Sequence, residues 1–144
     1  MSSCLICELE NVDESAIVFR DDLWAAEVVQ GYEVPGWFFL RARRHAELIV
    51  GLKDAELETF GRRARDLVAA VSAATGAEAT YVMTFGESHR HFHALITARG
   101  ADVPPELRGG NIVKLLADRI DAEASHALVP AVRQAYAELA DNAG

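Results

Sequence analysis

No run of apolar residues in this chain approaches the roughly 20 that a membrane-spanning helix needs, so an embedded segment is not expected. The first eight residues lack the basic and apolar regions of a secretory leader, and a cytoplasmic protein is the expectation. Positive charge is also scarce. Fourteen Lys and Arg face 22 Asp and Glu, giving a formal charge of -8 and a pI near 5.0. That balance excludes wholesale binding of nucleic acid, which needs a basic footprint. With only two cysteines there is no disulfide framework, and with no repeat or low-complexity run there is no solenoid or linker.

What is present suits one globular domain. A chain of 144 residues, 51% of them hydrophobic, buries about two-thirds of its unfolded surface without staples. Ala16 to Arg20 and Leu23 to Val29 read as strands joined through Asp21-Asp22. After the Pro35-Gly36 turn, Trp37 to Ala42 is a third strand whose apolar start is too continuous to be exposed. From Asp54 to Thr75 the period changes, with Leu57, Phe60, Ala64, Leu67, Val68 and Val71 forming one helical face. Asp54 is the expected N-cap and Gly76 the expected terminator. Thr80 to Phe85 is a fourth strand, and Gly86-Glu87-Ser88 turns the chain into a fifth beside it, antiparallel. Ile112 to Ile120 and the segment begun by Pro130 read as helices, with Val132, Tyr136 and Leu139 inward. His126 falls between them and is read as a surface residue.

The fifth strand carries the chemistry. His89, His91 and His93 stand at two-residue spacing, which in an extended strand puts them on one face, with Phe92, Ala94 and Ile96 on the other. An i, i+2 pair lies about 6.6 Å apart and can share one metal, but the outer pair spans about 13 Å, so the three are expected to divide their roles. Cys4-Leu5-Ile6-Cys7 opens the chain. Two cysteines three apart, with no strand before them, favour metal binding over redox chemistry, while packing as small hydrophobes is the plainer alternative. Arg41, Arg43 and Arg44 are the densest cationic group, readable as a phosphate site or as a solvated strand end.

These residues resemble the histidine triad (HIT) family, whose signature is His-φ-His-φ-His-φ-φ with φ apolar. Here it reads His89-Arg90-His91-Phe92-His93-Ala94-Leu95. Pro35-Gly36-Trp37-Phe38-Phe39-Leu40-Arg41-Ala42-Arg43-Arg44-His45 is similar to the family's Pro-Gly-His-x-Leu-Val-Ile-Pro-Lys-Arg-His segment. The cysteine pair resembles that of its zinc-bearing bacterial members. The match runs from residue 4 to about 99, which leaves about 103–141 as a helical extension of a single domain.

The resemblance implies an α+β fold, an antiparallel sheet of about five strands with a long helix packed on it, and often a homodimer. It implies a nucleotide or dinucleotide substrate, cleaved at its α-phosphate through a nucleotidyl-histidine. A dinucleoside polyphosphate or a nucleoside phosphoramidate would serve. The middle histidine, His91, would be the nucleophile, and His93 a positioned acid and phosphate ligand. Cys4, Cys7, His45 and His89 would hold a structural zinc. Three departures stand out. Arg90 occupies an apolar slot; no glutamine precedes the histidines in the family's Gly-Gln position, leaving Ser88 as the substitute phosphate donor; and Val29 stands where a ribose-binding Asp is expected, with Glu27 two residues away. A noncatalytic nucleotide-binding or zinc-stabilised interaction protein is the alternative those departures favour.

Overall fold

The computed structural model describes residues 4–142. Strands β1 (Ile17–Arg20), β2 (Trp24–Glu27), β3 (Trp37–Ala42), β4 (Ala79–Met83) and β5 (His93–Arg99) form one sheet in the order β1-β2-β3-β5-β4, every neighbouring pair antiparallel. Helix α1 (Leu5–Glu8) lies at the N-terminus and α2 (Asp54–Thr75) connects β3 to β4. Helices α3 (Ala122–Ala127) and α4 (Val129–Asn142) close the chain. This is the expected α+β architecture. Among the described residues no helix is long and apolar enough to cross a membrane.

Both faces of the central strands are covered, which is why Trp37 to Leu40 is a continuous apolar run rather than an alternating one. Phe38, Leu40, Ala94 and Ile96 face one core with Leu67, Ala70 and Val71 of α2. Trp37, Phe39 and Leu95 face a second with Ile6, Leu9, Ile112 and Leu115. The C-terminal segment therefore serves both cores. Tyr136 of α4 stacks on Phe19 at 4.1 Å between ring centres, and Arg133 donates to the Ile17 carbonyl at the β1 edge. A 3₁₀ stretch, Gly109–Ala117, stands where Ile112 to Ile120 reads as a helix, and supplies Ile112 and Leu115 to the second core.

Two boundaries depart from the sequence reading for a visible reason. The N-cap of α2 is Lys53, whose N–H donates to the Glu56 carboxylate at 2.7 Å, so Asp54 is already helical. Gly76 terminates the helix in the left-handed region, φ 68°, as expected. The link between β4 and β5 is longer than a turn, because extended pairing starts only at His93. Gly36 is required twice over. Its φ is +91°, and a Cβ there would lie 2.8 Å from the Ala98 Cβ, so the β3 entry approaches β5 more closely than any side chain permits.

Candidate active site and metal centre

Register places the site. His93 lies opposite Arg41 at the start of β5, so the residues just before it meet those just after β3. There the chain makes a short irregular ladder. Phe92 N–H donates to the Ala46 carbonyl, Leu48 N–H to the Arg90 carbonyl, and Glu47 bridges His91. Residues 45–48 are thereby laid against 90–92, bringing His45 beside His91.

Cys4 and Cys7 arrive from the other side. Cys4 caps α1, its sulfur accepting from the Cys7 N–H at 3.3 Å, so both thiols face one point. Cys7 Sγ lies 3.2 Å from His45 Nδ1 and 3.4 Å from His91 Nδ1, and Cys4 Sγ 3.5 Å from His91 Nδ1. All four donor atoms fall within 4.8 Å of one another. A tetrahedral zinc with bonds of about 2.3 Å to sulfur and 2.0–2.1 Å to nitrogen sets sulfur and nitrogen about 3.6 Å apart. The donor set and its spacing therefore fit a structural zinc. His91 Nε2 is 2.6 Å from the Ala42 carbonyl oxygen, which can only accept, so Nε2 carries the proton and Nδ1 presents its lone pair to the sulfurs. Burial pushes the Cys7 thiol up to about 11, reinforced by Cys4 and opposed by the Arg41 charge.

The fourth donor of the cluster is thus His91, and not His89 as the resemblance implies. The strand begins at His93, four residues later than the sequence reading has it, and the isolated Glu47–His91 bridge before it brings His91 rather than His89 to His45. His91 is 1% exposed, and with one ring nitrogen on Ala42 and the other among the sulfurs it has none left to attack a phosphate. His89 departs from the extended line and turns back toward His93. Their ring centres are 6.2 Å apart, about half the strand distance.

His93 is the free imidazole. Its Nδ1 is 2.8 Å from the His91 carbonyl oxygen, so Nδ1 is the protonated nitrogen, and Nε2 has no hydrogen-bond partner among the described residues. The ring stacks on Phe39 at 5.0 Å, 14° from parallel. Burial lowers its pKa, opposed by the bond to His91 and assisted by His89, which keeps the ring neutral and its lone pair available at pH 7.

Two clefts meet at this ring. The first, about 370 Å³, has Phe39 and Leu95 in its wall, Tyr32 and Met83 beside them, and Val113 and Leu116 from the C-terminal 3₁₀ stretch; Ser88 stands at its exposed rim. The volume suits one nucleoside. The second, about 270 Å³, lies between residues 48–50 and 84–90. Phe85, Gly86, His89 and His93 border both. Leu48 adopts φ 60°, ψ 174°, a conformation nearly confined to glycine that costs about 1–3 kcal/mol.

The three arginines of the cationic group are all engaged. Arg41, fully buried, donates to Glu27 at 2.7 Å and meets Glu10 at 2.7 Å; Arg43 meets Glu10 at 2.8 Å; Arg44 pairs with Glu56. The cationic group is a structural clamp, and Glu27, held by it, is not available to a ribose. Arg90 reaches Glu47 at 3.2 Å on the surface. His126 is half-buried on α3, bonded to the Ala122 carbonyl oxygen within its own helix.

Glu10 follows the cysteine pair in sequence, so its ion pairs fasten the metal-binding segment to the sheet. Hydrogen bonds from Arg43 and Arg41 hold its carboxyl down to about 2, against the opposing cost of burial. A carboxylate with a depressed folded pKa contributes stability that is complete above its unfolded value, here 4.5, and is lost as pH falls through about 2. The gap in melting temperature between the parent and Glu10→Gln is therefore expected to be widest near neutrality and to close between those limits. A gap independent of pH in thermal melts at pH 7, 4 and 2.5 would assign Glu10 no ionic role.

No protein-family model matches the sequence, and no curated protein matches it. Solved structures do. A hypothetical histidine triad nucleotide-binding protein from Sulfolobus tokodaii matches with a TM-score of 0.74 at 18% identity, over 94% of this chain and 93% of its own. A zinc-bound histidine triad family protein from Mycobacterium smegmatis matches at 0.68 and 15% identity, over 99% and 98%. A uridylyltransferase matches at 0.67 and 19% identity, covering 94% of this chain and 46% of that longer one. At these identities the likeness is one of fold, and the fold is that of the histidine triad proteins.

Proposed function

We propose that this chain, which has the histidine triad fold, is a nucleotide-binding hydrolase or nucleotidyl transferase in which His93 is the nucleophile. The observation that carries the reading is the Nδ1 bond of His93 to the His91 carbonyl, which fixes the tautomer and leaves the Nε2 lone pair unengaged beside a nucleoside-sized cleft. Attack of Nε2 on an α-phosphate forms an N–P bond as the bond to the leaving group breaks, and the leaving atom departs with the electron pair. Water then displaces the imidazole, whose nitrogen recovers its pair, and releases the nucleoside monophosphate. Dividing one displacement into two lowers each barrier. The substrate is a dinucleoside polyphosphate or a nucleoside phosphoramidate.

The chemistry moves two residues along from the middle histidine because His91 serves the metal. Cys4, Cys7, His45 and His91 would hold a zinc with four protein donors, and a metal so enclosed would supply structure rather than a Lewis acid. His91, so held, would keep in place the backbone carbonyl that orients His93. His91 would thus act on the nucleophile through its backbone and not by touching the substrate. Ser88, exposed at the rim, is placed to donate to phosphate oxygens.

The homodimer implied by the resemblance is kept as a proposal. Strand β4 is a sheet edge, and Val82 on it is half-exposed, so a two-fold contact there would cover both. Light scattering at micromolar concentration is expected to give twice the 15.7 kDa chain mass, and a species of 15.7 kDa alone would refute it. The function itself is tested by turnover of an adenylated phosphoramidate and of a dinucleoside polyphosphate with His93→Ala beside the parent.

A further inference from the structure

The buried arginine of β3 has a donor that the ion pairs around it leave unused. In the segment from 35 to 45, Arg41 stands where the similar family segment has an apolar Ile, and it is 0% exposed. Glu27 takes the edge formed by its Nε and Nη2, at 2.9 and 2.7 Å, and Glu10 takes Nη2 as well, at 2.7 Å. Nη1 carries two further N–H groups and has no partner among the described residues. An ionised donor left unpaired in the interior is costly, and in native proteins such groups are few.

Charge is unbalanced in the same direction. Arg20 and Arg41 share the Glu27 carboxylate, and Arg41 and Arg43 share that of Glu10, so within this cluster three cations meet two anions. The surplus lies against the metal centre. Ala42, next to Arg41 in β3, accepts the Nε2 hydrogen of His91, and Glu10 is three residues beyond Cys7. Arg41 also acts on two of the four donors through space. Burial raises the Cys7 thiol against the Arg41 charge, and burial lowers His91 with that charge assisting.

The two sulfurs differ in what they accept. Cys4 Sγ has the Cys7 N–H at 3.3 Å, whereas among the described residues no backbone N–H reaches Cys7 Sγ, which lies against the ring nitrogens of His45 and His91. With a metal bound, those nitrogens turn their lone pairs to the ion and both cysteines are thiolates. Cys7 would then be an anionic sulfur without a donor.

We propose that Arg41 is a positioning residue of the metal centre, its free Nη1–H donating to the Cys7 thiolate while Nε and Nη2 stay on Glu27 and Glu10. This rests on the zinc reading of the four-donor cluster. The bond is charge-assisted, satisfies the orphaned donor and sets the surplus positive charge against the thiolate that lacks one. Through one guanidinium it ties the metal-binding segment to β3 at the residue opposite His93. Isoleucine at this position would offer no donor, and a single ammonium could not span the three acceptors as a planar fork does.

The first test needs no substitution. Full-length protein is loaded with cadmium enriched in its NMR-active isotope, and a proton–cadmium correlation spectrum is recorded. A guanidinium proton of Arg41 is expected to couple to the metal through the N–H···S bond, beside the cysteine β-protons that couple through their own covalent bonds. Cysteine signals without the guanidinium signal would overturn the proposal, and a chain that takes up no cadmium would overturn the metal centre and the proposal with it. Arg41→Lys then separates positioning from packing. It keeps a charge for Glu27 and is expected to weaken zinc binding by about tenfold or more in competition with a chelator. In the cobalt-loaded variant the sulfur-to-metal charge-transfer band is expected to move to lower energy, because the sulfur lone pair loses its hydrogen bond. Glu10→Gln breaks the ion-pair clamp without removing Nη1, so it lowers the melting temperature and leaves that band in place. Equal bands in the parent and in Arg41→Lys would make Arg41 part of the clamp alone.

Discussion

His91→Ala empties the metal centre, whereas His89→Ala leaves it filled: this is the expected result of elemental analysis on protein prepared without chelator, at one zinc per parent chain. The contrast follows from geometry. His91 Nδ1 lies among the two sulfurs and its Nε2 is fixed on Ala42, while His89 faces His93 across the cleft. Losing one of four ligands leaves three donors around an open position and a buried void where the imidazole was. Because a structural site contributes its binding energy to folding, His91→Ala is also expected to lower the melting temperature by more than 10 °C and to lose activity secondarily. Zinc retained by His91→Ala, or lost from His89→Ala, would return the fourth ligand to the position that the resemblance implies.

The second large effect is expected at His93. In His93→Ala turnover falls by several orders of magnitude, because a covalent route is removed rather than a contact weakened, while zinc content stays at one per chain. Nucleotide affinity changes little, since the cleft wall of Phe39, Leu95 and Tyr32 is untouched apart from the lost stacking on Phe39. His89→Ala and Ser88→Ala cost less, about 10²–10³ at most, as donors to charge that develops in the transition state. Should His93→Ala keep more than about a tenth of parental turnover, a loss under about 1.4 kcal/mol in barrier, it is not the nucleophile.

The sheet and the long helix are legible in the sequence because each has its own period. Alternation and β-branching mark the strands, and the three- and four-residue steps of Leu57 to Val71 mark α2. The cysteine pair and His45 are legible as ligands by residue type and spacing. The phase of the triad is not, because three histidines at equal two-residue spacing look the same when shifted by one step. A discriminating signal does exist upstream. Counted back from His91 rather than His89, Gly86 and Glu87 fall five and four residues ahead, where the resemblance has Gly-Gln. The third position of the signature is then Leu95, which is buried in the second core. His89 becomes an additional imidazole, and Glu87 stands in for the missing glutamine. What fixes the phase physically is the pairing of β3 with β5, Arg41 opposite His93, a long-range contact that spacing alone does not encode.

The arginines were ambiguous for a similar reason. Arg41 and its neighbours carry the same charge whether they meet a phosphate or a carboxylate, and the carboxylates that claim them, Glu10, Glu27 and Glu56, are distant in sequence. The exposed Ile49 and Val50 give no periodic signal, being part of a short 3₁₀ turn after a strained Leu48.

The most direct measurement of the central claim is the identity of the modified residue in quenched enzyme. Parent protein mixed with an adenylated phosphoramidate, quenched in alkaline denaturant where a histidine–phosphorus bond survives, digested and sequenced by mass spectrometry is expected to carry one adenylyl group, on His93. Adenylyl on His91 or His89 would contradict the assignment of roles, and a protein that binds nucleotide yet never carries the group would make it a binding protein with a zinc-stabilised fold.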